Sequence, residues 1–378
     1  MFEYIVQPGD TIYSITRLFG ITTAELFSTN PELLNDDVLI IGRTLRIPEF
    51  RQVRPTIEVN GYADPTVSDE VLENTLPYLT YLSIMGYDAR PDGTLSSLDD
   101  TRLINVARQK GVAPLMVVFN IEPDVGFSSE LAHTLLSDAA LYQTLINSII
   151  STLKAKNYYG VNINFIEVYP HDYIPYTKFL QSLCMQLHPL GYILVVSPRI
   201  RVFIEEQAAL LEADLRIPFH NILDRLILSI TEWVCSYQNR EVSFIDELQR
   251  SLDFAIQLVS SPSILISIPN CCYDLKLLNN QNQLERLLSS AQADALVYQT
   301  GGIFRIDPRS RTSHFTYIDN NGVFHEVLCE IDTNFRAPIA LVNTYNLGGV
   351  SFRKIDDYSV TSYQTVSAMF EIRKLITV

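Results

Sequence analysis

From residue 57 onward the chain alternates between short runs of branched and aromatic residues and longer runs with helical periodicity. The short runs lie at 57–62, 81–87, 113–120, 158–168, 192–197, 224–233, 263–270 and 348–353. Eight strands with helical segments between most of them predict an α/β fold, a (β/α)8 TIM barrel. The segment from 57 to 378 is longer than the roughly 250 residues typical of that fold. The surplus falls between the seventh and eighth strands. There 302–305, 313–318 and 323–329, around the turn Asn320-Asn321-Gly322, read as antiparallel hairpin strands, so an insertion is expected over about 300–335.

Function is sought on the fourth run, Tyr158-Tyr159-Gly160-Val161-Asn162-Ile163-Asn164-Phe165-Ile166-Glu167-Val168. Side chains alternate along a strand, so Asn162 and Asn164 point to one side of it. Two amides on so apolar a strand must be hydrogen-bonded or must face a polar cavity. Barrel sites lie at the C-terminal ends of the strands, which is where this run places Asn164 and the residues after it.

Residues 2–48 form a separate βααβ unit. A strand over 3–6 leads into the turn Pro8-Gly9-Asp10-Thr11. Asp10 or Thr11 is the expected N-cap of a helix over Ile12, Ile15 and Leu18-Phe19, which Gly20 stops. Thr22 or Thr23 caps a second helix, Asn30-Pro31 ends it, and 45–48 forms the second strand. The pattern Tyr4-x-Val6-x-x-Gly9-Asp10-Thr11-Ile12, with Phe19-Gly20-Ile21-Thr22, Asn30-Pro31, Gly42 and Ile47-Pro48, resembles a LysM module throughout. That resemblance implies a domain over 1–50 that binds N-acetylglucosamine polymers, peptidoglycan or chitin-like. The implied groove has Gly9, Asp10, Thr11 and Ile12 on one wall and Asn30 and Pro31 near the other.

The fourth run resembles the corresponding strand of family 18 glycoside hydrolases, where Asp-x-x-Asp-x-Asp-x-Glu ends the strand. It is most similar to the segment Asp-Gly-Val-Asn-Ile-Asp-Phe-Glu of LysM-bearing spore cortex and germination hydrolases. In register, the first Asp becomes Tyr159, Asn162 is retained, the last Asp becomes Asn164 and the Glu becomes Ile166. The resemblance extends over 51–378 through 115–120, 187–192, Glu232-Trp233, Ile268-Pro269 with Tyr273-Asp274, and 347–351. It also implies that the insertion is a small α+β element. Family 18 chemistry is substrate-assisted, an exception to the two-carboxylate scheme. It implies an acid, an Asp that orients the acetamido group, a Tyr on the sixth strand and an aromatic floor on the eighth. Here those positions hold Ile166, Asn164, Thr231 and Arg353. By the same resemblance, Tyr62, Tyr87, Asn120, Glu232, Trp233, Tyr273 and Asp274 are the expected barrel-cleft residues. A Glu does follow one place late, at Glu167, with Pro170 three residues on as in the relatives. Two placements of Glu167 are open: away from the barrel axis by alternation, or into the mouth through a one-residue bulge at Ile166.

Composition excludes several other classes. A net charge of −15 argues against nucleic acid or an anionic membrane as partner. No apolar stretch is long enough to predict a membrane span. The opening Met1-Phe2-Glu3-Tyr4 lacks the basic-then-apolar pattern of a signal peptide. The cysteines, Cys184, Cys235, Cys271, Cys272 and Cys329, are odd in number and widely spaced, so neither zinc nor a disulfide framework is expected. Cys271-Cys272 reads as two small apolar residues at a strand end. The histidines, His171, His188 and His220 among them, show no ligand spacing and read as surface or helix-end residues. No metal and no cofactor are expected.

The resulting expectation is a wall- or spore-associated glycan-binding protein whose barrel has lost most of its catalytic set. A working hydrolase with Glu167 as acid is the alternative. A third reading is a structural spore-layer protein that uses the barrel to contact other proteins of that layer. The resemblance places it in the spore coat, cortex or cell wall.

Overall fold

The computed structural model describes residues 2–35, 39–48, 54–200, 222–230, 244–268, 272–278, 281–306, 313–329, 336–358 and 360–377. They fall into two compact units, one holding Met1–Thr56, Asn270–Ala337 and Asp357–Glu371, the other Ile57–Pro269, Pro338–Asp356 and Ile372–Val378. Among the described residues no helix is long and apolar enough to cross a membrane.

The N-terminal part of the first unit pairs strand Phe2–Ile5 antiparallel with Thr44–Ile47. Helices Ile12–Phe19 and Thr23–Thr29 lie between them in sequence. Thr11 and Thr22 are the N-caps, each in a reciprocal capping box, and Gly20 ends the first helix in the left-handed conformation. Tyr4, Val6, Ile15, Leu26, Leu33, Leu45 and Ile47 form the core. Full burial of such side chains contributes about 1.5–3 kcal/mol each, before chain entropy is subtracted.

The rest of the first unit is dominated by a five-stranded antiparallel sheet. Its order is Gln281–Leu288, Cys272–Leu278, Phe324–Cys329, Ser313–Ile318 and Arg305–Ile306. Helix Ser290–Thr300 covers it, with Ala293, Leu296 and Val297 against Phe315 and Val327. The insertion therefore begins its sheet at Cys272, not near residue 300. Two readings from sequence are corrected here. Cys272 and Cys329 stand opposite one another in the ladder and form a disulfide, so the wide cysteine spacing concealed a real bridge. Cys271 lies outside the described residues. His325 is buried, not superficial.

The second unit is a closed parallel barrel. Its strands are Thr56–Ala63, Tyr81–Asp88, Ala113–Phe119, Gly160–Asn164, Ile193–Val196, Arg225–Ile230, Ile264–Ile268 and Gly349–Phe352. Each pairs with the next, and the eighth pairs with the first. The eighth strand begins at Gly349 because a Cβ there would lie 1.8 Å from the carbonyl oxygen of Glu58 on the first strand. Tyr62, Leu115, Val117, Phe119, Val195, Ile227 and Leu265 pack inside the barrel. At its N-terminal end the buried Glu58 accepts from the Arg225 Nη2 at 2.6 Å and the Tyr81 hydroxyl at 3.0 Å.

Candidate functional site

The fourth barrel strand is set up by the helix before it. Ala139–Lys156 ends with Lys154 and Lys156 in its last turn and Asn157 in the left-handed conformation. Tyr158 is then pinned by its hydroxyl to Asp100 at 2.5 Å, and the strand proper runs from Gly160 to Asn164.

Asn162 sits fully buried at the centre of a polar layer inside the barrel. Its Nδ2 donates to the Tyr62 hydroxyl at 2.9 Å, and its Oδ1 accepts from the Ser197 Oγ at 2.8 Å. Tyr62 and Ser197 are 2.7 Å apart. Ser83 Oγ donates to Asn60 Oδ1 at 2.7 Å, and Asn60 Nδ2 to Ser351 Oγ at 2.9 Å. Burial pushes the Tyr62 phenol up from its ordinary pKa, against the hydrogen bonds of Ser197 and Asn162 and the charge of Arg353. The layer is therefore neutral, and every polar side chain named in it has a partner inside the barrel.

Above this layer a cavity of about 110 Å³ opens toward the C-terminal ends of the strands. Tyr62, Asn164, Ile166, Ser197, Ser229 and Arg353 contribute to its wall, with apolar surface from Met85, Phe119 and Phe127. Asn164 and Ile166 both face it, in the side-chain parity of Asn162. Phe165 points the other way, stacking on Tyr176 and Phe179 at ring-centroid distances of 6.0 and 6.1 Å. The alternation thus continues through Ile166 without an inserted residue.

Glu167 follows in the left-handed conformation, with φ of 61°, and is exposed. It is absent from the cavity wall, and its carbonyl accepts from the Ser129 hydroxyl. Asn120 holds the chain just before it. Its Oδ1 accepts from the Ile166 N–H at 2.9 Å, while its Nδ2 donates to the Ile166 carbonyl at 2.8 Å and the Ser128 carbonyl at 3.0 Å. Asn120 is thus a clamp behind the wall and not part of it.

Among the described residues lining the cavity none is a carboxylate. Arg353 brings the permanent charge there, and it is positive. Asn164 Oδ1 is buried and has no hydrogen-bond partner, so a donor entering the cavity would find an acceptor waiting. Such an arrangement can hold a polar, uncharged group with an N–H or O–H. Among the described residues of the wall, none is a carboxylic acid that could protonate a leaving oxygen.

Other sequence candidates lie elsewhere. Tyr87 bonds Asp100 at 2.5 Å, outside the cavity wall. Tyr273 and Asp274 belong to the antiparallel sheet of the first unit, because the seventh barrel strand ends at Ile268. Asp274 is fully buried there, accepting from the Tyr317 hydroxyl and from Arg286 Nε at 2.8 and 2.9 Å, with His325 Nδ1 at 2.8 Å. Thr231, Glu232, Trp233 and His220 lie outside the described residues. Reasoning from sequence missed Ser83, Ser197, Ser229 and Ser267. Each lies on the inward parity of its strand, a signal that alternation alone would have given.

In the N-terminal unit, most implied groove residues commit their side chains to the fold. Asp10 accepts from the Tyr4 hydroxyl and the Gln7 N–H, both at 2.7 Å. Thr11 is the helix cap. Asn30 is fully buried and brackets Arg46, accepting from its N–H and donating to its carbonyl at 2.6 Å each. Gly9, Thr11 and Pro31 remain exposed at the surface, and Ile12 is half-buried against the core. Tyr13, beside them, is 69% exposed, with the Arg17 guanidinium 5.9 Å from its ring centroid.

A small βααβ unit and a closed eight-stranded barrel with a cavity at its strand ends define a LysM domain joined to a TIM-type barrel. Residues 4–48 match the LysM domain model. The putative sporulation-specific glycosylase YdhD of Bacillus subtilis (strain 168) is 25% identical to this chain, over 93% of it and 83% of that relative. The cortical fragment-lytic enzyme of the same organism is 27% identical, with 98% of each chain covered. Among solved structures, the spore cortex-lytic enzyme SleL of Bacillus cereus matches with a TM-score of 0.75 at 26% identity, over 99% of this chain and 87% of that one.

Proposed function

We propose that this protein binds N-acetylglucosamine-containing glycan of the spore cortex or cell wall through its LysM domain, and that its barrel receives sugar without cleaving it. The observation that carries the second half is Ile166, which occupies the cavity-facing place at the end of the fourth strand, with no carboxylate among the described residues of the cavity wall. The names of the relatives support the substrate class. The orphan acceptor of Asn164 suits the N–H of an acetamido group, and the Arg353 guanidinium suits hydroxyl or carbonyl oxygens of a sugar.

Calorimetric titration with chitin oligomers and soluble peptidoglycan fragments tests the binding role. Residues 1–50 alone are expected to bind, and the intact chain to bind a long polymer more tightly, by about 10² when both domains engage one strand. Clear binding by the chain lacking residues 1–50, with no heat from the fragment, would reverse the assignment of the binding role.

A further inference from the structure

We propose that His133, His171 and Asp172 form a binding site for a divalent transition ion of the zinc class. The site is separate from the barrel cavity and does not depend on the glycan reading. His133 lies on helix Ser129–Ser137, which follows the third barrel strand, and His171 and Asp172 lie in the 3-10 turn Pro170–Asp172 after the fourth. The sequence conceals the set because His133 is far from the other two along the chain.

The donor types and spacing suit the ion. Two imidazole nitrogens and one carboxylate oxygen are the ligands zinc takes in three-residue sites, leaving a fourth place for water. His133 Nδ1 lies 2.9 Å from each oxygen of Asp172, and His171 Nε2 lies 3.7 Å from Oδ2. One donor atom from each residue falls within 4.8 Å of the other two. Ligands held about 2.1 Å from one ion in tetrahedral geometry stand about 3.4 Å apart. The His171 ring, which would have to turn to complete the set, is 65% exposed and stacks on Tyr169 at a ring-centroid distance of 5.2 Å.

A second observation points to a cation. The Asp172 side chain is only 2% exposed, and among the described residues no lysine or arginine pairs with it. A carboxylate so placed is costly unless its charge is met. The two imidazoles carry no permanent charge, whereas a divalent ion would supply it. Binding forms two metal–nitrogen bonds and one metal–oxygen bond and replaces the His133–Asp172 hydrogen bond. Any proton on the ligating His133 Nδ1 leaves it, to Nε2 or to solvent, and no oxidant or reductant is needed. The bound ion would brace the helix carrying Ser129 against the turn after the fourth strand.

The test uses the full chain, free of any affinity tag and stripped with chelator. Zinc chloride is titrated calorimetrically, and cobalt(II) uptake is followed by its visible absorption. One ion per chain is expected. His133→Ala and His171→Ala should each weaken uptake by more than the roughly 10–100-fold that loss of an outer partner costs. His188→Ala, on the other side of the fourth-to-fifth strand crossover, should bind as the wild type does. Circular dichroism confirms that each variant folds, which the exposure of His171 favours. Unchanged uptake in the His133→Ala/His171→Ala double variant would overturn the site, as would absence of uptake by the wild type at hundred-micromolar metal.

Discussion

Incubated with defined N-acetylglucosamine oligomers or purified spore cortex, the wild-type protein is expected to release no product above a control lacking protein, and Glu167→Gln is expected to behave identically. Glu167 is exposed and is not among the described residues of the cavity wall. The double variant Asn164→Asp/Ile166→Glu should gain turnover, because it restores a charge and an acid at two places that already face the cavity. A well-placed general acid is worth about 10²–10⁴-fold. An aimed negative charge in a water-poor site adds a few kcal/mol where positive charge develops on a sugar's acetamido group. Adding Thr231→Tyr should raise the rate further. Robust turnover by the wild type that collapses in Glu167→Gln would sink this reading and make Glu167 the acid.

The second large effect concerns stability. Arg225→Met should destabilise the protein by about 3–5 kcal/mol, read from urea denaturation at neutral pH. Glu58 is 4% exposed, and Arg225 meets both of its oxygens. Arg373, itself 56% exposed, stands at 3.3 Å and cannot replace that pairing. Burial alone would raise the Glu58 carboxyl, but the hydrogen bond and charge of Arg225, with smaller help from the Tyr81 hydroxyl and the Arg373 charge, offset it, and its pKa lies below the ordinary value. A carboxyl depressed in the folded state contributes stability that is full above its unfolded pKa and is lost as pH falls through the folded one. The wild type should therefore lose stability as pH drops through and below the usual glutamate range, and Glu58→Gln should flatten that limb. The double variant Glu58→Gln/Arg225→Met should recover much of the loss, since no buried charge is left alone. An Arg225→Met protein as stable as the wild type would refute the argument.

The barrel was legible because its strands alternate so regularly that the inward parity can be read directly. Asn162 and Asn164 were placed on one side of their strand this way, and Thr11 and Thr22 were each one of two cap candidates that the turn residues offered. What stayed hidden depends on tertiary register. Cys272 and Cys329 bond because an antiparallel ladder sets them opposite each other, which spacing does not reveal. Asp274 looked like a cleft residue by resemblance, yet the chain has already left the barrel at Ile268. Glu167 could not be placed from sequence because alternation and a one-residue bulge gave opposite answers, and only the observed parity of Asn164, Phe165 and Ile166 decides between them. His133 and Asp172 were invisible for the simplest reason: a helix and a turn from different crossovers meet only after folding.

The Asn120 clamp has a consequence for what substitution at position 166 can do. The amide grips the Ile166 backbone on both its N–H and its carbonyl, so the aim of that position is set by main-chain atoms common to every residue except proline. Whatever side chain stands there inherits the aim. The means of delivery and the group delivered are therefore inherited separately. A substitution at 166 therefore changes the group presented to the cavity while the Asn120 bonds to the main chain stay available.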